Sequence, residues 1–253
     1  MSSTNIQEKS VSFIFALTLI ILCFCIPLSV SASDKVYNLN FTTAYMDKHP
    51  TVQNGFIPWM KEVERLSNGR LKITYFNPNT LAPVNETYNA TVSGMIDIGS
   101  GFPSQTPGKF PLADAISLPM IAPGAEAGSL LIWDIYQKFP SWQAEYKDVK
   151  LLWQWASATF QLHTRPKLVR SIADMKGLRI IGWSPDALEM IKSFGANPLQ
   201  IGPTDTYLAL QRGMADGVMC PLAPVRSYKI SDATKYHTIT KDMWTSSGIT
   251  AAA

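Results

Sequence analysis

The segment 171–218 constrains the fold most, because strand and helix patterns alternate in it at short intervals. Residues 178–182 form a short apolar run that is typical of a buried strand. A helix is predicted over 186–194, with Ser184 as its N-cap and Gly195 as the left-handed residue that ends it.

The same segment predicts a second strand at 198–201 and a second helix at 204–212, which Gly213 ends. A third strand is predicted between Gly213 and the end of the segment at Val218. Strands that alternate with helices over such short connections are typical of a parallel sheet of the α/β class.

An earlier part of the chain carries a similar alternation. Its predicted elements are strands at 37–43, 71–76 and 95–98 and helices at 55–67 and 84–93. A loop formed by 99–101 and 103–107 follows, at the strand end where open α/β sheets bind ligands. A helix at 125–139 and an aromatic strand at 151–155 come next, and the strand is expected to cross between two lobes, with a boundary near 155–160.

The composition is that of a globular chain with one or two packed cores, since 46% of its residues are hydrophobic and 16% are charged. The formal net charge is only +3. Such a charge implies no polyanionic partner, so no nucleic acid is expected as a ligand.

The N-terminal segment has the pattern of an export signal, in which Lys9 precedes an apolar run at 11–30 and small residues at 30–32. An uncleaved transmembrane anchor is the alternative, because the run is near the length that spans a bilayer. Cleavage near Ala32 would export the chain to the periplasm. Cys220 would then be the one remaining cysteine, and no disulfide could form within the chain.

Scaffold residues of segment 171–218 carry a family resemblance. The motif residues are Asp174, Lys176, Gly177, Leu178, Arg179 and Ile180, then Gly195, Ala196 and Pro198, then Tyr207, Ala209, Leu210, Gln211, Gly213, Asp216 and Gly217. This pattern resembles the solute-binding subunit of tripartite ATP-independent periplasmic (TRAP) transporters, DctP type. The resemblance covers about residues 37–240.

The resemblance implies a two-lobed α/β fold of the periplasmic binding protein kind, type II-like, with a central cleft. The expected parts are a signal peptide at 1–32, a first lobe at 33–157, a second lobe at 158–245 and the start of a return to the first lobe at 246–253. Family members complete the first lobe with a returning strand and add a bracing helix. We expect this chain to be a truncated one that lacks both.

The resemblance also indicates where the solute binds. An Arg that usually forms a bidentate salt bridge with the substrate carboxylate aligns with Ile181. A second Arg of some members aligns with Gln161, with His163 two residues further on, and a frequent Asn aligns with Cys220. Three polar positions therefore carry Ile, Gln and Cys.

Three explanations for these substitutions remain open. In the first, the alignment is off by a residue and Arg179, which lies on the same strand face as Ile181, reaches the cleft rim. In the second, the protein is degenerate. In the third, the solute is less charged and aromatic side chains hold it. The aromatic candidates are Trp153, Trp155, Phe160 and Trp183. The predicted ligand-binding residues are Phe160, Gln161, His163, Arg179, Ile181, Trp183 and Cys220.

The sequence holds no motif of a serine hydrolase, a zinc protease, a phosphate-binding loop or a dinucleotide site. His49, His163 and His237 are interpreted as structural or superficial, and neither a cofactor nor a metal is expected.

The predicted function is that of a monomeric binding protein, not an enzyme. It would capture a small organic solute, an organic acid or a more apolar relative, for the membrane subunits of a TRAP permease. The alternatives are a sensor-type binding protein that docks on a receptor, and a secreted enzyme on a similar scaffold.

Overall fold

The computed structural model describes residues 35–253 except 123, 242 and 245, and describes the backbone alone at 247. The predicted export signal at 1–32 therefore lies outside the described residues. Within the described part of the chain, no helix combines the length and the apolar character that crossing a bilayer requires.

Two five-stranded sheets organise the described residues. The strands are β1 (Tyr37–Thr43), β2 (Leu71–Phe76), β3 (Ile98–Gly101), β4 (Lys150–Ala156), β5 (Gln161–Thr164), β6 (Arg179–Gly182), β7 (Asn197–Gln200), β8 (Gly217–Cys220), β9 (Tyr236–Thr238) and β10 (Ser247–Ala252). The helices are α1 (Ile57–Leu66), α2 (Thr87–Val92), α3 (Pro111–Ala115), α4 (Ala125–Lys138), α5 (Pro140–Ala144), α6 (Pro185–Ser193), α7 (Pro203–Gln211) and α8 (Leu222–Ser227).

The first sheet has the strand order β2-β1-β3-β10-β4. β1 pairs parallel with β2 and β3, whereas β10 pairs antiparallel with both β3 and β4. One face packs on α1 and on the π-helical turn Val52–Phe56, with Phe41 and Phe56 buried between them. The other face packs on α4 through Ile132 and Leu151.

The second sheet has the strand order β7-β6-β8-β5-β9, in which β5 runs antiparallel to its neighbours β8 and β9. α6 covers one face, where Ile191 meets Ile180. α7 and α8 cover the other face, where Leu210 meets Val218. The described residues thus form a two-lobed α/β fold with one mixed sheet in each lobe.

The helix predicted at 186–194 is confirmed, together with its caps. α6 begins at Pro185, whose fixed φ suits the first turn, and Ser184 Oγ accepts a hydrogen bond from the backbone N–H of Ala187 at 3.3 Å. Gly195 follows the helix with φ 79°, a conformation that favours glycine.

Two predictions about the first sheet are wrong. β3 spans Ile98–Gly101 rather than 95–98, because Gly99 and Ser100 pair with β1 instead of forming the predicted loop. The returning strand, expected to be missing, is present as β10 and lies between β3 and β4. Its residues Ser-Gly-Ile-Thr-Ala-Ala are mostly small, so the sequence shows little apolar alternation there.

Two crossing segments, 157–160 and 239–246, connect the sheets, and described residues of the two are hydrogen-bonded to each other. The N–H of Ser157 donates to Ser246 O at 2.8 Å, and the N–H of Phe160 donates to Trp244 O at 2.8 Å. The indole of Trp244 packs against Phe160 with ring centroids 3.9 Å apart and an interplanar angle of 45°, and its N–H donates to Ser117 O at 2.5 Å. Trp244 therefore ties this junction to the first lobe.

Asp114 on α3 is a half-buried carboxyl group with an unpaired oxygen. Its Oδ1 atom has no hydrogen-bond partner among the described residues. Burial raises the pKa of Asp114 to about 6, and the carboxylates of Asp186 and Glu145 contribute further to the rise. Glu145 itself accepts hydrogen bonds from the first N–H groups of α3, at Leu112 and Ala113.

Replacing Asp114 by Asn should remove a pH-dependent destabilisation. Because the pKa is raised in the folded state, protonated Asp114 contributes stability at low pH that is lost as the pH rises through about 6. We expect Asp114→Asn to be more stable than the wild type at pH 7, by about 1 kcal/mol after allowance for solvent screening, and similar to it near pH 4.

Urea unfolding across this pH range measures the effect. Asp232→Asn, which changes an exposed carboxyl group, is the matched control. An identical pH dependence in the wild type and in Asp114→Asn would contradict the assignment.

Candidate functional site: an aromatic cleft between the lobes

A cleft of about 590 Å³ lies between the two sheets. Its walls come from loops that follow β1, β3, β6 and β8, from the end of β4 and from the crossing segments. Because β1 and β3 are parallel to each other, as are β6 and β8, the cleft lies at carboxyl ends of parallel strands in both lobes. This is where open α/β sheets bind ligands.

The first lobe gives the cleft a continuous aromatic wall. Its members are Tyr45, His49, Phe56, Trp59, Phe102, Trp153 and Trp155. Tyr45 is at the centre: its ring stacks on His49 with centroids 4.1 Å apart and an interplanar angle of 11°, and lies 5.9 Å from the ring of Trp155. Such ring pairs hold one another in place, so this wall is preformed.

The second lobe contributes Phe160, Trp183 and Tyr228 to the opposite wall. The indole N–H of Trp183 donates to Thr206 Oγ1 at 3.0 Å, which fixes the ring at the end of β6. Tyr228 Oη donates to the backbone carbonyl of Ala44 at 3.0 Å and so joins the two lobes beside the cleft. Burial raises the pKa of Tyr228 to about 12.

No Lys, Arg, Asp or Glu lines the cleft within the described part of the chain. His49 is the one imidazole in the wall. Its Nδ1 accepts a hydrogen bond from the N–H of Thr51 at 3.2 Å, and burial lowers its pKa to about 4. The side chains of the cleft are therefore uncharged at neutral pH.

The structure places Phe160 and Trp183 in the cleft wall, together with Trp153 and Trp155, the other two aromatic candidates from the sequence. Phe160 reaches it from a crossing segment and Trp183 from the end of β6. The structure thus brings together the aromatic part of the predicted site.

The other five predicted ligand-binding residues do not line the cleft. Gln161 is buried, and its side chain bonds both crossing segments: Nε2 donates to Thr159 Oγ1 at 2.9 Å and Oε1 accepts from the N–H of Thr240 at 2.6 Å. Its amide stabilises the junction between the lobes.

His163 is fully buried in the second sheet. Its Nε2 lies 3.1 Å from Cys220 O, which can only accept, so the ring proton is on Nε2. Nδ1 then accepts from Nδ1 of His237 at 2.7 Å. Burial lowers the pKa of His163 to about 4, so the ring is neutral at pH 7, and both of its nitrogens have hydrogen-bond partners.

Arg179 lies at the amino end of β6, the end opposite to the cleft. Its guanidinium makes a bidentate salt bridge with Asp216, through Nε at 3.0 Å and Nη2 at 2.8 Å, and the backbone N–H of Arg179 donates to the same carboxylate. The hydrogen bond from Arg179 holds the pKa of Asp216 below its usual range. Arg179 is thus committed to a scaffold contact away from the cleft rim.

Ile181 and Cys220 are both fully buried in the core beneath α7 and α8. Ile181 packs among side chains that include Leu210 and Val218. Burial raises the pKa of the Cys220 thiol, which keeps it protonated. The solute site that we propose below is built without these five residues.

Sequence reasoning overlooked several wall residues of the first lobe, above all Tyr45, His49 and Ser104. All three follow the carboxyl end of a strand, β1 or β3, and this position is the one signal that could have indicated them. The sequence alone indicates a structural or superficial role for His49, because it places no cysteine or carboxylate at metal-ligand spacing from this residue.

The two α/β lobes, the crossing segments and the cleft define a two-lobed binding-protein architecture. The sequence profile of DctP, bacterial extracellular solute-binding protein, family 7, matches residues 42–252. The chain belongs to this family.

A solute-binding protein of Verminephrobacter eiseniae is 25% identical over 215 residues, which are 84% of this chain and 63% of that protein. The chain therefore spans less than two thirds of the length of this relative.

Two solved structures are similar. A TRAP solute-binding protein from Rhodoferax ferrireducens, in complex with copurified benzoate, has 26% identity and a TM-score of 0.79, with 86% of this chain and 68% of that chain covered. A TRAP periplasmic solute-binding protein from Bordetella bronchiseptica, with bound mandelate, has 25% identity and a TM-score of 0.78, with 85% and 69% covered.

Ile181→Arg tests whether position 181, which aligns with the carboxylate-binding Arg of the family, is open to the cleft. Because Ile181 is fully buried among apolar side chains, we expect an unpaired charge there to lower the free energy of unfolding by at least about 3 kcal/mol. The matched control is Ile172→Arg, at an Ile that is 64% exposed, which should change stability by less than about 0.5 kcal/mol. A stable Ile181→Arg protein that gains affinity for carboxylates would refute the placement.

Gly248→Ala should displace the indole of Trp155, which forms part of the cleft wall. A Cβ atom on Gly248 of β10 would overlap the indole of Trp155, so we expect a loss of about 1–3 kcal/mol of stability and a shift in tryptophan fluorescence. Gly202→Ala, at a glycine with nothing within 4 Å of an added Cβ, is the control. Equal behaviour of the two variants in thermal melts would argue against this packing.

Proposed function

We propose that this protein is an extracytoplasmic receptor that captures a small aromatic or apolar organic solute in the cleft and delivers it to a TRAP permease. The observation that carries the proposal is the cleft itself: ten aromatic side chains from both lobes line it, and no charged residue does so among the described residues. Small-molecule sites of this volume are usually apolar and orient their ligand with few polar groups.

The relatives support an aromatic solute. The Rhodoferax ferrireducens protein was obtained with copurified benzoate, and the Bordetella bronchiseptica protein holds mandelate. Each of these ligands carries one phenyl ring, which suits the face of a tryptophan or tyrosine. We therefore propose an aromatic solute for this protein and assign no particular acid to it.

The two crossing segments are where closure would occur in this proposal. They are the connections between the sheets, and Tyr228 already bridges the lobes by its hydrogen bond to Ala44. Bending within the described residues of these two segments would bring Trp183 towards Tyr45 around a solute, as in hinge closure of two-domain receptors.

We also propose that the protein is exported and that it binds its solute without catalysing a reaction. The N-terminal pattern with cleavage near Ala32 would deliver a monomer to the periplasm, where a permease can receive the solute. Among the described residues that line the cleft, no nucleophile is hydrogen-bonded to a base, so binding is the activity that they support.

Aromatic solutes should bind and quench tryptophan fluorescence, whereas aliphatic dicarboxylates such as succinate should bind at least about 100-fold more weakly. Trp183→Ala should weaken the binding of aromatic solutes about tenfold, because the variant loses one ring face of the cleft. Calorimetry with benzoate, benzamide, phenylacetate and succinate measures both effects.

The matched control is Trp133→Ala, which removes an indole from α4 outside the cleft lining. It should leave affinity unchanged. Folded protein that binds no aromatic solute, or that prefers succinate, would refute the proposal. Mass spectrometry of small molecules that copurify with the protein gives an independent test of the solute class.

A further inference from the structure

A second cavity, of about 440 Å³, lies between the lobes beside the cleft. Its walls come from the loops that follow β2 and β3 in the first lobe, and from the ends of β6 and β7 and the residues that follow them in the second lobe. Five residues line both this cavity and the cleft: Ala44, Ser104, Gln105, Trp183 and Pro203. The two spaces therefore adjoin, and we call the second one the side cavity.

The side cavity is lined by polar side chains that the cleft mostly lacks. Apart from the buried Ser104, these are Asn79, Asn85, Gln105, Gln200, Thr204 and Asp205. The side chains of Asn85, Gln200, Thr204 and Asp205 are exposed and make no hydrogen bond to another described residue. Their donors and acceptors are thus available to a solute that enters the side cavity.

The chemistry of these side chains suits hydroxyl groups. A side-chain amide has two N–H donors and an acceptor oxygen, and a hydroxyl group of a solute can pair with either, because it donates as well as accepts. Amides come from both lobes, with Asn85 and Gln105 in the first and Gln200 in the second. The carboxylate of Asp205 only accepts, and a hydroxyl group can donate to it.

The charge of the side cavity disfavours an anionic group. Among the residues that the structure describes, Asp205 is the one ionisable side chain of its lining, and no Lys, Arg or His contributes. An anion would find no cation there and would be repelled by Asp205. An ammonium group would gain little, because Asp205 is exposed and water screens the attraction. The lining therefore favours an uncharged group.

One aromatic ring alone leaves most of the available space unfilled. A cavity of about 150 Å³ is enough to hold benzene, whereas the cleft has about 590 Å³ and the side cavity about 440 Å³. Trp183 lines both spaces, and the hydrogen bond from its indole N–H to Thr206 Oγ1, at 3.0 Å, holds it in place at their boundary. A solute whose ring carries a further group can occupy both spaces.

We infer that the solute is an aromatic compound with an uncharged, hydroxyl-bearing tail, such as an aryl glycoside or an aryl glycerol ether, whose ring lies in the cleft and whose tail lies in the side cavity. This inference rests on the proposed function and specifies its ligand. The ring contacts the aromatic walls, and the hydroxyl groups of the tail bond the amides of both lobes. Because each lobe contributes to both spaces, closure encloses the ring and the tail together.

A matched set of phenyl ethers tests the inference, since its members share one ring and differ in the tail. By calorimetry near neutral pH we expect phenyl glucoside and phenyl glycerol ether to bind at least about tenfold more tightly than anisole, which has the ring without the hydroxyl groups. Methyl glucoside, which has the hydroxyl groups without the ring, should bind at least about tenfold more weakly than phenyl glucoside. Phenyl glucuronide and phenoxyethylamine, with an anionic and a cationic tail, should also bind more weakly than phenyl glucoside.

Variants of the side cavity identify where the tail binds. Gln200→Leu and Asn85→Leu each remove one exposed amide, from the second and the first lobe respectively. Each should lower the preference for phenyl glucoside over anisole about tenfold, because the tail loses its hydrogen bonds. The matched control is Gln137→Leu, which removes an exposed amide from α4 outside both linings and should leave the preference unchanged.

The possible results separate the inference from the proposed function. If neither hydroxyl-bearing phenyl ether binds more tightly than anisole, or if Gln200→Leu and Asn85→Leu keep the wild-type preference, the inference is wrong and an aromatic receptor remains. Tighter binding of phenyl glucuronide or of phenoxyethylamine than of phenyl glucoside would also overturn the uncharged tail. If folded protein binds none of the phenyl ethers, anisole included, the proposed function is wrong as well.

Discussion

The insertion of β10 between β3 and β4 is the constraint on which the rest of the structure depends. β10 is hydrogen-bonded on both sides, and it is the strand through which β4 joins the first sheet. β4 carries Trp153 and Trp155, so this pairing also positions one wall of the cleft. Because β10 follows the second sheet in the chain, the polypeptide must leave the first lobe and return to it, which creates the cleft between the lobes.

Much of the α/β architecture could be predicted, because the second lobe has a clear alternation of apolar strands and capped helices. β10 could not, since its side chains are mostly small, and its Gly248 leaves room for an indole. The bounds of β3 could not be predicted either, for a related reason. Its register is set by the pairing of Gly99 and Ser100 with β1, and neither residue has an apolar side chain.

The residues of the candidate site also fall into those that the sequence predicts and those that it does not. The aromatic residues Phe160 and Trp183 could be predicted, because they flank strands whose direction the sequence defines. The role of Arg179 could not, because its partner Asp216 is 37 residues away in sequence and meets it only when β6 and β8 pair. His49 gains its significance from the ring of Tyr45 and the N–H of Thr51, and these are contacts of the folded chain.

The hydrogen bonds between the two crossing segments have a mechanical consequence. Paired at Ser157 with Ser246 and at Phe160 with Trp244, and joined again through the amide of Gln161, the two connections behave as one two-stranded ribbon. A paired ribbon flexes across its width but resists sliding of one strand along the other, because sliding would break its hydrogen bonds. In the proposed closure, these hydrogen bonds would favour bending over sliding, so that a solute would meet the two walls in a similar relative orientation each time.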